Sequence, residues 1–146
     1  MNAIQNPSKA KANHFENIIV TQPHALVGET RYRTAVEVSG FKLVVDEPVS
    51  RGGSSRWPAP YDLLLASLGA CTAITLKMYA ERKQWTLAQF GVDVRLIQDP
   101  TGARIDRKLD VPGADDKQRE RLAEIAERTP VTLTLRAGIS IHTTFA

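Results

Sequence analysis

Cys71 is the only thiol in this chain of 146 residues. One cysteine cannot close an internal disulfide, so nothing in the sequence points to an oxidising compartment. The three histidines, His14, His24 and His142, are scattered and have no second sulfur ligand to join, so no metal site is expected. Charge of one sign is also missing. Nineteen Lys and Arg against sixteen Asp and Glu leave a net charge of only +3, with the signs interspersed, which excludes a nucleic-acid-binding stripe. A short basic cluster, Lys9, Lys11 and His14, lies in a polar N-terminal stretch without the apolar core of a secretory signal. Residues 1–15 are therefore expected to be a flexible tail ahead of a single domain over 16–146, with the cytoplasm as the default location. Gly52-Gly53 lacks the strand-to-helix fingerprint of a phosphate loop, and no cofactor is expected.

What the sequence does have is one long apolar run, Tyr61–Ala80, reading YDLLLASLGACTAITLKMYA. Its length would suit a membrane span. However, Asp62 and Lys77 interrupt it, with Ser67, Gly69, Thr72 and Thr75 between them. A core helix shielded by a sheet or a second subunit fits better than a membrane partner. The helix is expected over Pro60–Lys83, with Pro60 in the first turn and Asp62 facing the positive end of the dipole.

Around it the pattern is mixed. Asn17–Thr21 reads as a possible edge strand, and Arg31–Val38 and Phe41–Asp46 as strands joined at Ser39-Gly40. Glu47–Ala59 is a loop rich in Pro, Gly and Ser, carrying Arg51, Arg56 and Trp57, in which Gly52-Gly53 gives a mobile flap. Gly91–Gln98 and Arg104–Val111 alternate as an antiparallel hairpin around Asp99-Pro100-Thr101-Gly102. A second helix over Asp116–Arg128 opens on Asp115 with Gln118 three residues on, as in a capping box. Pro130 should end it. Gly138–Phe145 alternates as a closing strand. Strands, long helix, hairpin, helix and strand make an α+β fold, not a doubly wound one. Trp57 and Trp85 read as core or interface anchors.

Helical spacing puts Leu64, Ser67, Leu68, Ile74, Thr75 and Met78 on the face of Cys71. Desolvation by such a wall disfavours a thiolate, and the helix dipole has faded three turns in. From spacing alone Cys71 is inert packing, unless a cation reaches it from elsewhere in the fold. Candidates are Arg31 and Arg33 on the early strand, and Arg51 and Arg56 on the loop.

The segment PAPYDLLLASLGACTAITLKMYAERKQW resembles the osmotically inducible protein C and organic hydroperoxide resistance (OsmC/Ohr) family. GETRYRTAVEVSGFKLVVDEP, RIDRKLDVPGADDKQRERLAEIAERTPV and GISIHTTF continue the likeness in order over Gly28–Phe145. The resemblance implies a long central helix packed on antiparallel sheets and an intertwined homodimer with its active sites at the subunit interface. It also implies thiol-dependent reduction of organic or fatty-acid hydroperoxides. Cys71 aligns with the peroxidatic cysteine, which becomes a sulfenic acid. Arg31 and Arg33 are candidates for its guanidinium partner, and strand alternation does not choose between them. Tyr61, Asp62, Leu68 and Thr129 are expected on the substrate side.

Two departures from the family pattern stand out. The resolving cysteine is replaced by Thr129, just before Pro130-Val131, so no internal disulfide can form and an external thiol must reduce Cys71. The family's arginine-orienting carboxylate, ten residues before the cysteine, is replaced by Tyr61. Asp62, nine before, points about 180° from Cys71 on a regular helix. A first-turn acid complementing the dipole is its simpler role. The competing reading is a degenerate scaffold binding a small apolar or lipid-like ligand at the dimer interface.

Overall fold

The computed structural model describes residues 19–146. Its elements run β1 (His24–Val27), β2 (Thr34–Val38), β3 (Phe41–Val45), α1 (Pro60–Arg82), β4 (Gly91–Asp99), β5 (Gly102–Asp110), α2 (Asp116–Ala126) and α3 (Pro130–Ala137). The strands form two antiparallel sheets, β1-β2-β3 and β4-β5. Val38 pairs with Phe41, leaving Ser39-Gly40 as a two-residue loop. Both loop residues are left-handed (φ 50° and 81°), as the turn that matches strand twist requires. At the tip of the second hairpin, Asp99 Oδ1 accepts the Thr101 N–H at 2.8 Å, turning the chain back through Pro100-Thr101.

The long helix is bounded by identifiable chemistry. Pro60 occupies the first helical position. The Asp62 carboxylate accepts the Ala59 N–H at 2.8 Å, reaching back across the first turn. At the other end Gln84 is left-handed (φ 57°), with Gln84 N–H on Glu81 C=O and Trp85 N–H on Ala80 C=O. This is a Schellman stop, and it carries the usual apolar contact, since the Trp85 ring meets Tyr79 edge-on at 5.7 Å. Asp115 and Gln118 cap α2 reciprocally, as their spacing predicts.

The core sits between the C-terminal half of α1, the end of β5 and α2. Leu76, Val111, Ala114, Leu122 and Ala126 are buried there, with Tyr79, Trp85, Leu87, Phe90, Leu109 and Ile125 packed around them. The three-stranded sheet contributes nothing to this cluster. Leu26, Val27, Phe41 and Leu43 on its strands are exposed.

Several expectations change. Arg31 and Tyr32 lie in a turn, with Arg31 itself left-handed (φ 44°), so β2 begins only at Thr34. The alternation that placed Arg31 and Arg33 on one strand face does not apply. The expected strand Asn17–Thr21 falls partly outside the described residues, and positions 19–21 are not strand. The first strand is instead His24–Val27. Pro130 ends α2 but also starts α3, because a proline is as harmless at the first position of a helix as it is disruptive inside one. Gly138–Phe145 is not a strand. Gly138 turns out of α3 (φ 72°), and among the described residues no strand pairs with the segment.

Candidate functional site

Cys71 stands mid-way along α1 and is half-buried. The helix has two apolar sides. Leu68, Thr72, Leu76 and Ala80 are buried against the rest of the chain. Of the large apolar residues that helical spacing gives to Cys71, Leu64, Ile74 and Met78 are exposed, whereas Leu68 turns to the buried side. The thiol therefore borders an open apolar strip and is not sealed in the core.

The N-terminal arginines are engaged with the glycine loop. Arg31 donates from Nη1 to the Gly52 carbonyl at 3.2 Å. The Arg33 guanidinium lies 5.3 Å from the centre of the half-buried Trp57 ring, a cation–π contact. Among the described residues, neither donates a hydrogen bond to Cys71. The loop is pinned, not a free flap. Buried Asp46 accepts the Ser54 N–H at 2.9 Å and also the Ser54 hydroxyl. Ser55 Oγ accepts the Val49 N–H at 3.0 Å. Gly53 is pressed so closely on residue 47 that a Cβ would stand 1.7 Å from the Glu47 carbonyl oxygen. The Ser54 side-chain and backbone bonds hold the Asp46 carboxyl below the usual carboxylate range. Tyr61 and Asp62 are exposed and line a groove with Arg51, Leu96, Gln98 and Ala103.

A second polar cluster lies against the buried side of α1. Arg107 of β5, with a side chain 11% exposed, donates to Thr72 Oγ1 at 3.1 Å, Thr132 Oγ1 at 2.9 Å and Glu127 Oε1 at 2.9 Å. Thr129 is fully buried, its hydroxyl 2.7 Å from that of Thr132. Arg136 also pairs with Glu127. The Thr129 position is thus wired through Thr132 and Arg107 to Thr72, the residue that follows Cys71. Leu68 and Thr132 line one cavity beside this network. Sequence reasoning passed over Arg107, Glu127, Thr132 and Arg136. The available signal was register: in β5 an arginine stands at the inward position between Ile105 and Leu109. Such an arginine must be paired from across the fold.

The comparisons with known proteins agree with this architecture. No curated protein sequence matches the chain. Solved structures do. A Psychrobacter arcticus protein ascribed to osmotic stress induction and detoxification response superposes with a TM-score of 0.67 at 20% identity, over 83% of this chain and 90% of its own. The organic hydroperoxide resistance protein OsmC of Legionella pneumophila gives 0.64 at 22% identity, over 83% and 92%. An organic hydroperoxide resistance protein of Elizabethkingia anophelis, with thiocyanate bound, gives 0.65 at 19%, over 83% and 91%. These likenesses show a shared fold. A family model described as OsmC-like protein matches residues 52–144, well over half of the sequence and including α1 with Cys71. The chain belongs to the OsmC-like family, as a member with a single cysteine.

Proposed function

We propose that this protein reduces organic hydroperoxides through Cys71, with an external thiol as reductant, as a cytoplasmic homodimer. The observation that carries the reading is the position of the thiol, half-buried beside an exposed apolar strip of α1. Such a thiol is not sealed in the core of its own chain, and an apolar peroxide reaches it along the margin of that strip that a partner leaves open. The thiolate attacks the peroxide oxygen and the O–O bond breaks. The substrate leaves as an alcohol and Cys71 becomes a sulfenic acid. Thr129 carries no sulfur and cannot condense with it. An external thiol then displaces water to give a mixed disulfide, and a second thiol releases Cys71 and leaves as the disulfide.

The dimer follows from what one chain leaves uncovered. A helix apolar on both sides needs cover on both. The closing segment keeps the alternation of Ile139, Ile141 and Phe145, and among the described residues no strand pairs with it. A second copy would supply both partners, and would bring its own Arg31 and Arg33 to the site as candidates for the thiolate's counter-charge. Tyr61, Asp62 and Leu68 would bound the substrate side.

The test is mass spectrometry of the intact protein after one equivalent of cumene hydroperoxide, with and without 2-mercaptoethanol. The expected products are Cys71 with one added oxygen, and a mixed disulfide when the thiol is present. A Cys71 that stays reduced would sink the enzymatic reading. The scaffold reading would then stand, favoured by the locked Thr129 network, and would require that Cys71→Ser leave apolar-ligand binding intact.

A further inference from the structure

Beside α1, on its buried side, lies a cavity of about 200 Å³. Leu68 of α1, Ile105 of β5 and Leu135 of α3 give it an apolar wall. Arg107, Thr132, Glu127 and Arg136 form its polar end. One carboxylate there faces two guanidiniums. Burial opposes ionisation of Glu127, but its hydrogen bonds from Arg136 and Arg107 outweigh that and hold its carboxyl below the ordinary range. Glu127 is therefore charged at neutral pH, and the polar end keeps a surplus of one positive charge.

The two arginines are not equivalent. Arg107 is nearly buried and already donates three hydrogen bonds, to Thr72, Thr132 and Glu127. Arg136 is exposed where it lines the cavity and, among the described residues, meets Glu127 alone, through its carboxylate and at 3.4 Å through its carbonyl. With five N–H donors, a guanidinium so placed has capacity for a second carboxylate.

We propose that this cavity is a subsite for the carboxylate of a small, partly apolar acid, with Arg136 as the residue that receives it. The link to chemistry rests on the proposed function. Leu68 precedes Cys71 by one turn of α1, so an acid seated against it borders the helical turn that carries the reacting thiol. Two kinds of acid can enter that cycle: a carboxylated low-molecular-weight thiol as the external reductant, and a fatty-acid hydroperoxide as the substrate. The volume favours the first. It lies below the ~300 Å³ at which sites for larger ligands begin, so it suits a few-carbon acid better than a whole acyl chain. The step served is attack of the seated thiol on the sulfenic acid, which forms the mixed disulfide and releases water.

Binding is measured first, apart from activity, by calorimetry of the full chain with butanoate and with neutral butanamide. Butanoate should bind roughly tenfold tighter, the usual weight of a hydrogen bond to a charged group. Arg136→Gln should erase the difference and Arg136→Lys should keep part of it. Equal binding of the two ligands by the wild type overturns the subsite. Next, Cys71 is oxidised with one equivalent of cumene hydroperoxide, and its reaction with 3-mercaptopropionate is timed against 2-mercaptoethanol. Arg136→Gln should slow only the carboxylated thiol, by about tenfold. A selective loss instead in oxidation by linoleic acid hydroperoxide, relative to cumene hydroperoxide, would assign the site to the peroxide. If neither arm moves although butanoate binds, the link to Cys71 is overturned. If Cys71 never oxidises, the peroxidase reading falls, while the calorimetry still decides the cavity.

Discussion

Leu76 and Ile74 stand two residues apart on α1, yet the first is 0% exposed and the second 60%. They mark two regions of unlike character. Around Leu76, α1, β5 and α2 close a cluster in which every member has neighbours from another element. Around Ile74, on β1, at the start of β3 and along the closing segment, large apolar side chains face outward. Ile141 is 88% exposed. The first region is complete within one chain. The second has the apolar patterning of a core with half of that core missing. Extended exposed apolar surface is characteristic of interaction faces, and here part of it lies on the Cys71 side of α1.

The comparison breaks if the two regions respond alike to truncation. The largest effect is expected from Leu122→Ala, which empties a fully buried position in the closed cluster. It should cost about 2–5 kcal/mol, read as a lower urea midpoint with an unchanged slope. Phe41→Ala, on the open sheet, should cost under ~0.5 kcal/mol at concentrations where the chain is monomeric. A large Phe41 penalty that grows with protein concentration would show that the sheet is covered by a second copy.

Next in size is Arg107→Leu. It leaves Thr72 and Thr132 short of a donor and Glu127 short of one of its two arginines. Because Glu127 is half in solvent and keeps Arg136, the loss should be about 1–3 kcal/mol, less than for a sealed ion pair. Chemical denaturation checks the magnitude. A variant as stable as the parent would mean that the network does not tie β5 to α1.

Legibility in the sequence follows the same division. α1, the β4–β5 hairpin and α2 are written in local signals: Pro60 and Asp62 at one helix start, Asp115 and Gln118 at another, a turn at 99–102. Each acts within a few residues and so survives without tertiary context. The closing segment has an equally clear alternation but no strand, because a strand needs an edge to pair with, and among the described residues none pairs with it. The resemblance carried attention to Cys71 and Thr129, and to Arg31 and Arg33. It could not show Arg107 reaching across to Thr72, since that bond joins positions 35 residues apart. Thr129 read as a bare loss of sulfur. In the fold it is a buried hydroxyl in a satisfied network.

The smallest effect sharpens the open region itself. Asp46 fastens the glycine loop to the end of β3 through Ser54. Its carboxyl is held below its ordinary range in the fold, so the stabilising contribution is fully present above the unfolded value of ~3.9. That contribution is lost as pH falls through the folded value. Neutral solution should show a closed loop. Acidification below about pH 4 should free it, while the Leu76 cluster, which holds no carboxylate, stays intact. Amide exchange at Ser54 and Ser55 should therefore rise relative to Leu122 as pH is lowered, after correction for intrinsic rates. Asp46→Asn should exchange fast at every pH and flatten the profile. Parallel acid responses at Ser54 and Leu122 would instead mean that the two regions unfold as one unit, and the contrast between Leu76 and Ile74 would then be one of exposure alone, not of independent stability.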